Sequence, residues 1–238
     1  MSTYSYCFEL VERNSVVRRT KEEAQETRHK LLDAAEHLFQ EQGVSRTSLQ
    51  DIAKRAGATR GAIYWHFKDK ADLFNAMMER VTLPLEERVH RASFTPEGPP
   101  DISDPMSDIR LATDHCLSQI ANDAQTRRVI EVATQKVEYV EELRAVRLRH
   151  LSVRNGFLTR FEHSIEAAAK LHGLTLPVST QSAAQGFHAL IDGVIQNWLL
   201  DPHAFDLQDV GASVITVYLK GLGFTGQAAS ARVHTAAD

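Results

Sequence analysis

Apolar residues along this chain recur every three or four positions and almost nowhere alternate with polar ones. That is the period of helices, not strands. Leu31, Leu32, Ala35, Leu38 and Phe39 form the first stripe. It predicts a helix over 21–42 that stops at Gly43. Leu49, Ile52, Ala53 and Ala56 mark a second, short helix, with Thr47 or Ser48 as N-cap and Asp51 three residues after Ser48. Gly57-Ala58 reads as a tight turn, and Thr59 caps a third short helix reaching about Phe67. Asp69 caps a fourth, with Leu73, Phe74, Met77 and Val81 on one side. Pro84 interrupts that helix, yet the stripe resumes at Leu85 and Val89, which favours a kinked continuous helix over a break. After a proline-rich loop at 93–105, further helices are predicted at 106–122, 124–136, 141–172, 179–200 and 206–222, with a frayed tail from 226.

This is an all-α pattern with an early three-helix unit. Two short helices joined by a small-residue turn make a helix-turn-helix candidate, whose second helix enters the DNA major groove. The expected organisation is a flexible arm or a mis-assigned start at 1–18, a helix-turn-helix module at 19–68, a second helical domain at 69–225 and the tail at 226–238. The loop at 93–105 is the expected seam, with the fourth helix reaching across it.

Charge sharpens the picture. The net charge of −4 hides an asymmetry: Val17 to Lys70 holds 11 Lys and Arg against 8 Asp and Glu, whereas Ala71 to Asp238 holds 15 against 21. A basic module ahead of an acidic one points to a polyanionic partner for the first, although a difference this small is also ordinary variation. Only Cys7 and Cys116 are present, which suits a reducing cytoplasm and no disulfide framework. No apolar run approaches the length of a membrane span, and the N-terminus lacks the features of a signal peptide.

The stretch Thr59 to Lys70, TRGAIYWHFKDK, mixes aromatic residues with cations. Ile63 and Phe67 are four apart and face the core. Arg60, Gly61 and Tyr64 take the other face. Arg60 offers a bidentate fork to guanine. Gly61 lets the backbone approach DNA. Tyr64, His66 and Lys70 suit phosphates, which set register without reading sequence. Thr47 and Ser48 add hydroxyls at the start of the second helix. Trp65 reads either as partly core or as a DNA contact. His66 and Tyr64 also read as an exposed histidine and a packed aromatic.

Catalytic and metal chemistry find no support. Eleven histidines include none at H-E-x-x-H spacing, and the two cysteines lack zinc spacing. His115 and Cys116 are neighbours whose side chains diverge on a helix. No phosphate-cradling glycine motif is present. The chain is expected to be no enzyme and to need no cofactor.

From Thr20 to Phe74 the residues carry more than a pattern. G-V-S-x-T-S-L, D-I-A-x-x-A-G, G-A-I-Y-W-H-F and K-x-x-L-F occur in order. This run closely resembles the N-terminal domain of the TetR family of bacterial transcriptional repressors, and most of all its AcrR-like subgroup, which represses multidrug efflux pumps. The segments DPMSDIRLATDHCLSQI, TRRVIEVATQKVEYVEEL and GVIQNWLLDPHAFDL are similar in layout to that subgroup's ligand-binding domain. The resemblance implies about nine helices, a C-terminal ligand-binding and dimerisation domain, and a cytoplasmic homodimer on palindromic operator DNA, at the nucleoid when bound. A small hydrophobic drug or a metabolite would be the inducer. It also implies that Thr47, Ser48, Arg60, Gly61, Tyr64, His66 and Lys70 contact DNA.

Two departures stand out. The subgroup's acidic residue and tryptophan on the fourth helix are replaced by Thr82 and Met78, which leaves open a metabolic operon in place of an efflux operon. The first 16 residues have no counterpart, and Val17 stands where the family's initiator methionine would be. Candidate ligand contacts are Met78, Thr82, Leu85, His115 and Glu138, each of which also reads as ordinary core or surface. The helices at 179–200 and 206–222 are the expected dimer bundle. Phe187, Leu190, Ile191, Val194 and Trp198 form the stripe of the first, and Val210, Val214, Val217 and Leu222 that of the second.

Overall fold

The computed structural model describes residues 3–93, 105–138 and 140–224. The proline-rich loop and the tail lie outside the described residues, as does the side chain of Leu85. Among the described residues the chain forms nine α-helices and no strand. They are α1 (Thr3–Gln42), α2 (Leu49–Arg55), α3 (Arg60–His66), α4 (Lys70–Ser93), α5 (Pro105–Asn122), α6 (Ala124–Gln135), α7 (Arg144–His172), α8 (Thr180–Leu200) and α9 (Leu207–Gly221). A 3-10 turn at Glu141–Leu143 precedes α7.

Local chemistry sets the ends of these helices. Ser48 caps α2 in a reciprocal box with Asp51, and Thr59 caps α3. The Asp69 carboxylate accepts from the Asp72 N–H at 2.8 Å as α4 begins. Gly43 and Gly57 have φ of 85° and 66°, the left-handed conformation that ends α1 and turns α2 into α3. One start differs from expectation, and one continuation follows it. The backbone is already helical at Thr3, so α1 takes in most of the segment expected as an arm. Pro84 does not end α4, which runs on to Ser93. A proline withholds a single hydrogen bond, here the one to the Arg80 carbonyl four residues back, and a helix with enough flanking turns absorbs that loss.

The chain folds into two compact units. One draws on the chain up to Arg88 together with Asn122–Val153, the other on Val89–Ala121 and the chain from Arg154 onward. These units cut across the expected boundary at 68/69. The reason is packing: Leu73, Phe74, Met77 and Val81 of α4, Val129 and Val132 of α6, and Leu143 and Val146 beside and within α7 join one core with Leu31, Leu32, Phe39, Ile52 and Ile63. The helix-turn-helix thus shares its core with elements far along the chain.

The second unit is built on Phe187, Ile165, Ile215 and Leu219, with Phe161 edge-on to Phe187 at 4.7 Å. Phe187, Trp198 and Leu222, expected on the dimer stripes, are buried within the protomer, whereas Val217 stays 71% exposed and Leu200 is exposed with it. Each helix serves the internal core with one face and keeps another free. α8 and α9 approach closely where Gly186 lies under Tyr218, whose hydroxyl donates to the Ala183 carbonyl at 2.8 Å. A Cβ on Gly186 would overlap that hydroxyl. Gly186→Ala is expected to destabilise the protein by about 1–3 kcal/mol. Thermal melts check this, and adding Tyr218→Phe should restore part of the loss.

Candidate nucleic-acid interface

α3 presents two faces because one side packs against α1 and α2. Ile63 and Phe67 are fully inside, and the Arg28 guanidinium of α1 lies 5.4 Å over the Phe67 ring. The opposite face is open. Arg60 is exposed at the first position of α3, its guanidinium 5.8 Å from the Tyr64 ring centroid. That stacking pre-orders a donor fork at the N-terminal end of the helix, where base edges are reached. Tyr64 is 51% and Trp65 73% exposed, so Trp65 belongs to the surface and not to the core. An exposed tryptophan next to an exposed tyrosine on a two-turn helix is a costly surface unless something covers it. At Gly61 an added Cβ would meet nothing nearer than the Thr59 hydroxyl at 3.9 Å. No internal packing requires glycine there.

His66 stacks edge-on against Trp65 at 4.6 Å. Partial burial, and secondarily the Arg28 charge, hold its imidazole below the usual histidine range. Lys70 opens α4 and donates to the Ser45 carbonyl at 3.0 Å, which fixes its ammonium beside the α1–α2 turn. Ser48 is exposed, with its hydroxyl engaged by Asp51 as donor and acceptor. Its bonds lower the Asp51 carboxyl. Thr47 differs from expectation. It is 1% exposed and its hydroxyl donates to the Gly43 carbonyl at 2.8 Å, so it braces the turn and offers no hydroxyl to solvent. Arg28 is the residue that sequence reading passed over. No motif marks it, because its place beside His66 and Phe67 arises only when α1 crosses α3.

The ligand candidates separate. Met78 packs against the first unit's core, and Thr82 on the same helix has a buried hydroxyl with no partner. The Asn75 side-chain oxygen, two turns earlier on that face, is also buried and unpartnered. Arg149 of α7, 3.9 Å from Glu79, has an unpartnered buried Nε. The sequence signal for Asn75 is a polar residue seven positions before Thr82, at helical spacing on α4. Glu138 is exposed, and His115 lies half-buried on α5 in the second unit. Burial pushes the Cys116 thiol up to about 11, far from a nucleophile's range. Among the described residues, no group of three or more His, Cys, Asp or Glu is placed to hold a metal ion, and no helix is long and apolar enough to cross a membrane.

Residues 31–77 match the bacterial regulatory proteins of the tetR family, and residues 104–224 match the C-terminal region of MAATS-type transcriptional repressors. The chain belongs to the TetR family. It is a transcriptional regulator and not an enzyme. Over 207 residues it is 36% identical to the HTH-type transcriptional regulator AcrR of Shigella flexneri, covering 86% of this chain and 93% of that one. It superposes with a TM-score of 0.72 and 34% identity on NalD, the secondary repressor of the MexAB-OprM multidrug efflux pump in Pseudomonas aeruginosa, covering 84% of this chain and 97% of that one. The triclosan complex of SmeT, the repressor of the Stenotrophomonas maltophilia SmeDEF pump, superposes with a TM-score of 0.69 and 32% identity, over 82% and 90% of the two chains. NalD and SmeT are thus repressors of multidrug efflux pumps, and the all-α, helix-turn-helix reading of the sequence holds.

Proposed function

We propose that this chain is a ligand-responsive repressor of a multidrug efflux operon. It binds a palindromic operator in the cytoplasm as a homodimer and is released by a small hydrophobic or amphipathic ligand. The open face of α3, with Arg60, Gly61, Tyr64 and Trp65 exposed over a buried Ile63, carries this reading. Base contacts fall to Arg60, and phosphate contacts to Tyr64, Trp65, His66, Lys70 and the Ser48 cap. Dimerisation is assigned to the free faces of α8 and α9, where Val217 and Leu200 are exposed. Asn75, Met78 and Thr82 of α4 are the preferred effector contacts, since buried polar atoms without partners cost stability unless a ligand satisfies them. Thr82 and Met78 replace the acidic residue and tryptophan of the subgroup, which favours a neutral ligand and keeps a metabolite-responsive operon as the second reading.

The test is a gel shift on the intergenic DNA upstream of the protein's own gene, with a panel of hydrophobic drugs that includes triclosan. A specific shift released by a drug supports the efflux reading. A specific shift that only metabolites release moves the ligand to the second reading.

His66 gives a further check. A phosphate partner would raise an imidazole that the free protein holds low, so operator binding takes up a proton. Affinity is expected to rise as the pH falls from about 8 to about 6, and His66→Ala should flatten that dependence. The same lowered pKa gives the opposite sign for folding: its contribution is present above the ordinary histidine range and lost as the pH falls through the folded value.

A further inference from the structure

α4 has two working faces. Leu73, Phe74, Met77 and Val81 enter the first unit's core. Asn75, Met78, Glu79 and Thr82 recur at helical spacing on the other side. α7 meets that second face within the same unit, where Arg149 stands beside Glu79. Leu143 just before α7 and Val146 within it belong to the core. The next position of that stripe, one turn on, is Arg149 in place of an apolar residue.

Three polar atoms along this seam are buried without a partner: the Asn75 side-chain oxygen, the Thr82 hydroxyl and the Arg149 Nε. Glu79 does not answer the arginine. Its carboxylate is 3.9 Å from a terminal guanidinium nitrogen, an ion pair too long for a hydrogen bond, and it leaves Nε unserved. The chemistry of each atom states what it lacks. An arginine Nε only donates, so it needs an acceptor. The Asn75 oxygen accepts and needs a donor, and the Thr82 hydroxyl takes either. Met78 lies half-buried between Asn75 and Thr82 and offers a polarizable surface that suits an aromatic ring. Asn75 and Thr82 are seven residues apart, about 10 Å along the helix.

A ligand that answers all three atoms carries an oxygen at each end of an apolar body about two rings long. Phenolic hydroxyls fit best, because each both accepts and donates, and one answers the Asn75 amide whichever way that amide is turned. An ammonium ligand only donates. It leaves Nε unanswered and sets a second positive charge beside the guanidinium. A cation that took Glu79 would strip Arg149 of its counter-charge.

We propose that Arg149, with Asn75 and Thr82, makes the first unit a site for an uncharged two-ring compound hydroxylated at both ends, and that Arg149 selects such compounds against cationic amphiphiles. This rests on the assignment of α4 as the effector-contacting helix above.

The test is isothermal titration calorimetry of the full-length protein with p,p′-biphenol, its dimethyl ether, hydroquinone and p,p′-bis(aminomethyl)biphenyl. These probes separate hydroxyl from ether, two rings from one, and neutral from cationic. The diphenol is expected to bind about tenfold or more tighter than each of the others. Arg149→Met, which keeps an apolar stem, should cut the preference for the diphenol over the dication to below about threefold. Thr82→Val keeps the side-chain shape and should weaken the diphenol by about fivefold, which covers the case in which Arg149→Met does not fold. Equal binding of the diphenol and the dication, or of the diphenol and its ether, to the wild type overturns the proposal. So does a preference that survives both substitutions. If no probe binds while a drug releases the operator, the proposal falls and the effector reading stands. If no probe binds and no ligand of any class releases the operator, the effector reading falls and takes the proposal with it.

Discussion

Replacing Glu36 with alanine should lower the free energy of unfolding by about 3–5 kcal/mol, the largest loss expected from one substitution outside the apolar core. Among the described residues, the change removes the one α1 carboxylate that groups of both α4 and α6 contact. Arg80 keeps Asp33, which is more than half exposed, and so loses only part of its pairing. Arg128 and Gln125 keep no acceptor on α1 from this cluster. The sign follows from asymmetry: a buried charge left without its counter-charge costs far more than the pair itself contributes. Chemical denaturation at neutral pH measures the loss. A drop below about 1 kcal/mol would mean that the arginines reach water once the carboxylate is gone.

Arg60→Ala should weaken binding to the specific operator by about 1–3 kcal/mol, roughly ten- to a hundredfold, and leave random-sequence DNA almost unchanged. The side chain is exposed and stacked on Tyr64, so its removal has little effect on folding. A guanidinium held in this way can make two parallel bonds to a guanine edge, which alanine cannot replace. Lys70→Ala makes the contrast. A lysine tied to the Ser45 carbonyl beside the turn acts as a fixed charge, so its loss should weaken all sequences alike and reduce the salt slope by about one. Anisotropy titrations at several salt concentrations separate the two. Equal loss on specific and random DNA for Arg60→Ala would make Arg60 a phosphate contact.

Features that depend on a few neighbouring residues were legible in the sequence. The Ser48–Asp51 box, the Thr59 cap and the glycine turns are local chemistry, and each stands where the pattern placed it. The split between Ile63 and Phe67 inside and Arg60 and Tyr64 outside follows from the helical period alone. Trp65 could not be decided that way, because a helix of two turns has too few positions to define a face and α1 determines what it covers. From sequence Thr47 reads as a phosphate donor, because hydroxyls before a helix often point outward. Its inward bond depends on the Gly43 carbonyl, which the turn brings into range. The Glu36 cluster was out of reach for another reason. Its partners lie 44, 89 and 92 residues away. An acid set among Leu32, Ala35 and Phe39 was its one local mark. The same distance hides the makeup of the first unit, since nothing in α6 or early α7 announces that their apolar faces complete the core of a module a hundred residues earlier.

Pro84 sets a mechanical condition on all of this. The hydrogen bond it withholds is the one the Arg80 carbonyl would otherwise accept, and the Arg80 side chain is the one that grips Glu36 and Asp33. α4 therefore lacks one backbone hydrogen bond where Arg80 pins it to α1. A rod that is clamped and softened at one point behaves as a lever with its fulcrum there. A bend in α4 is therefore expected to fall at Pro84, just past the clamp, and not in the arm from Lys70 to Arg80.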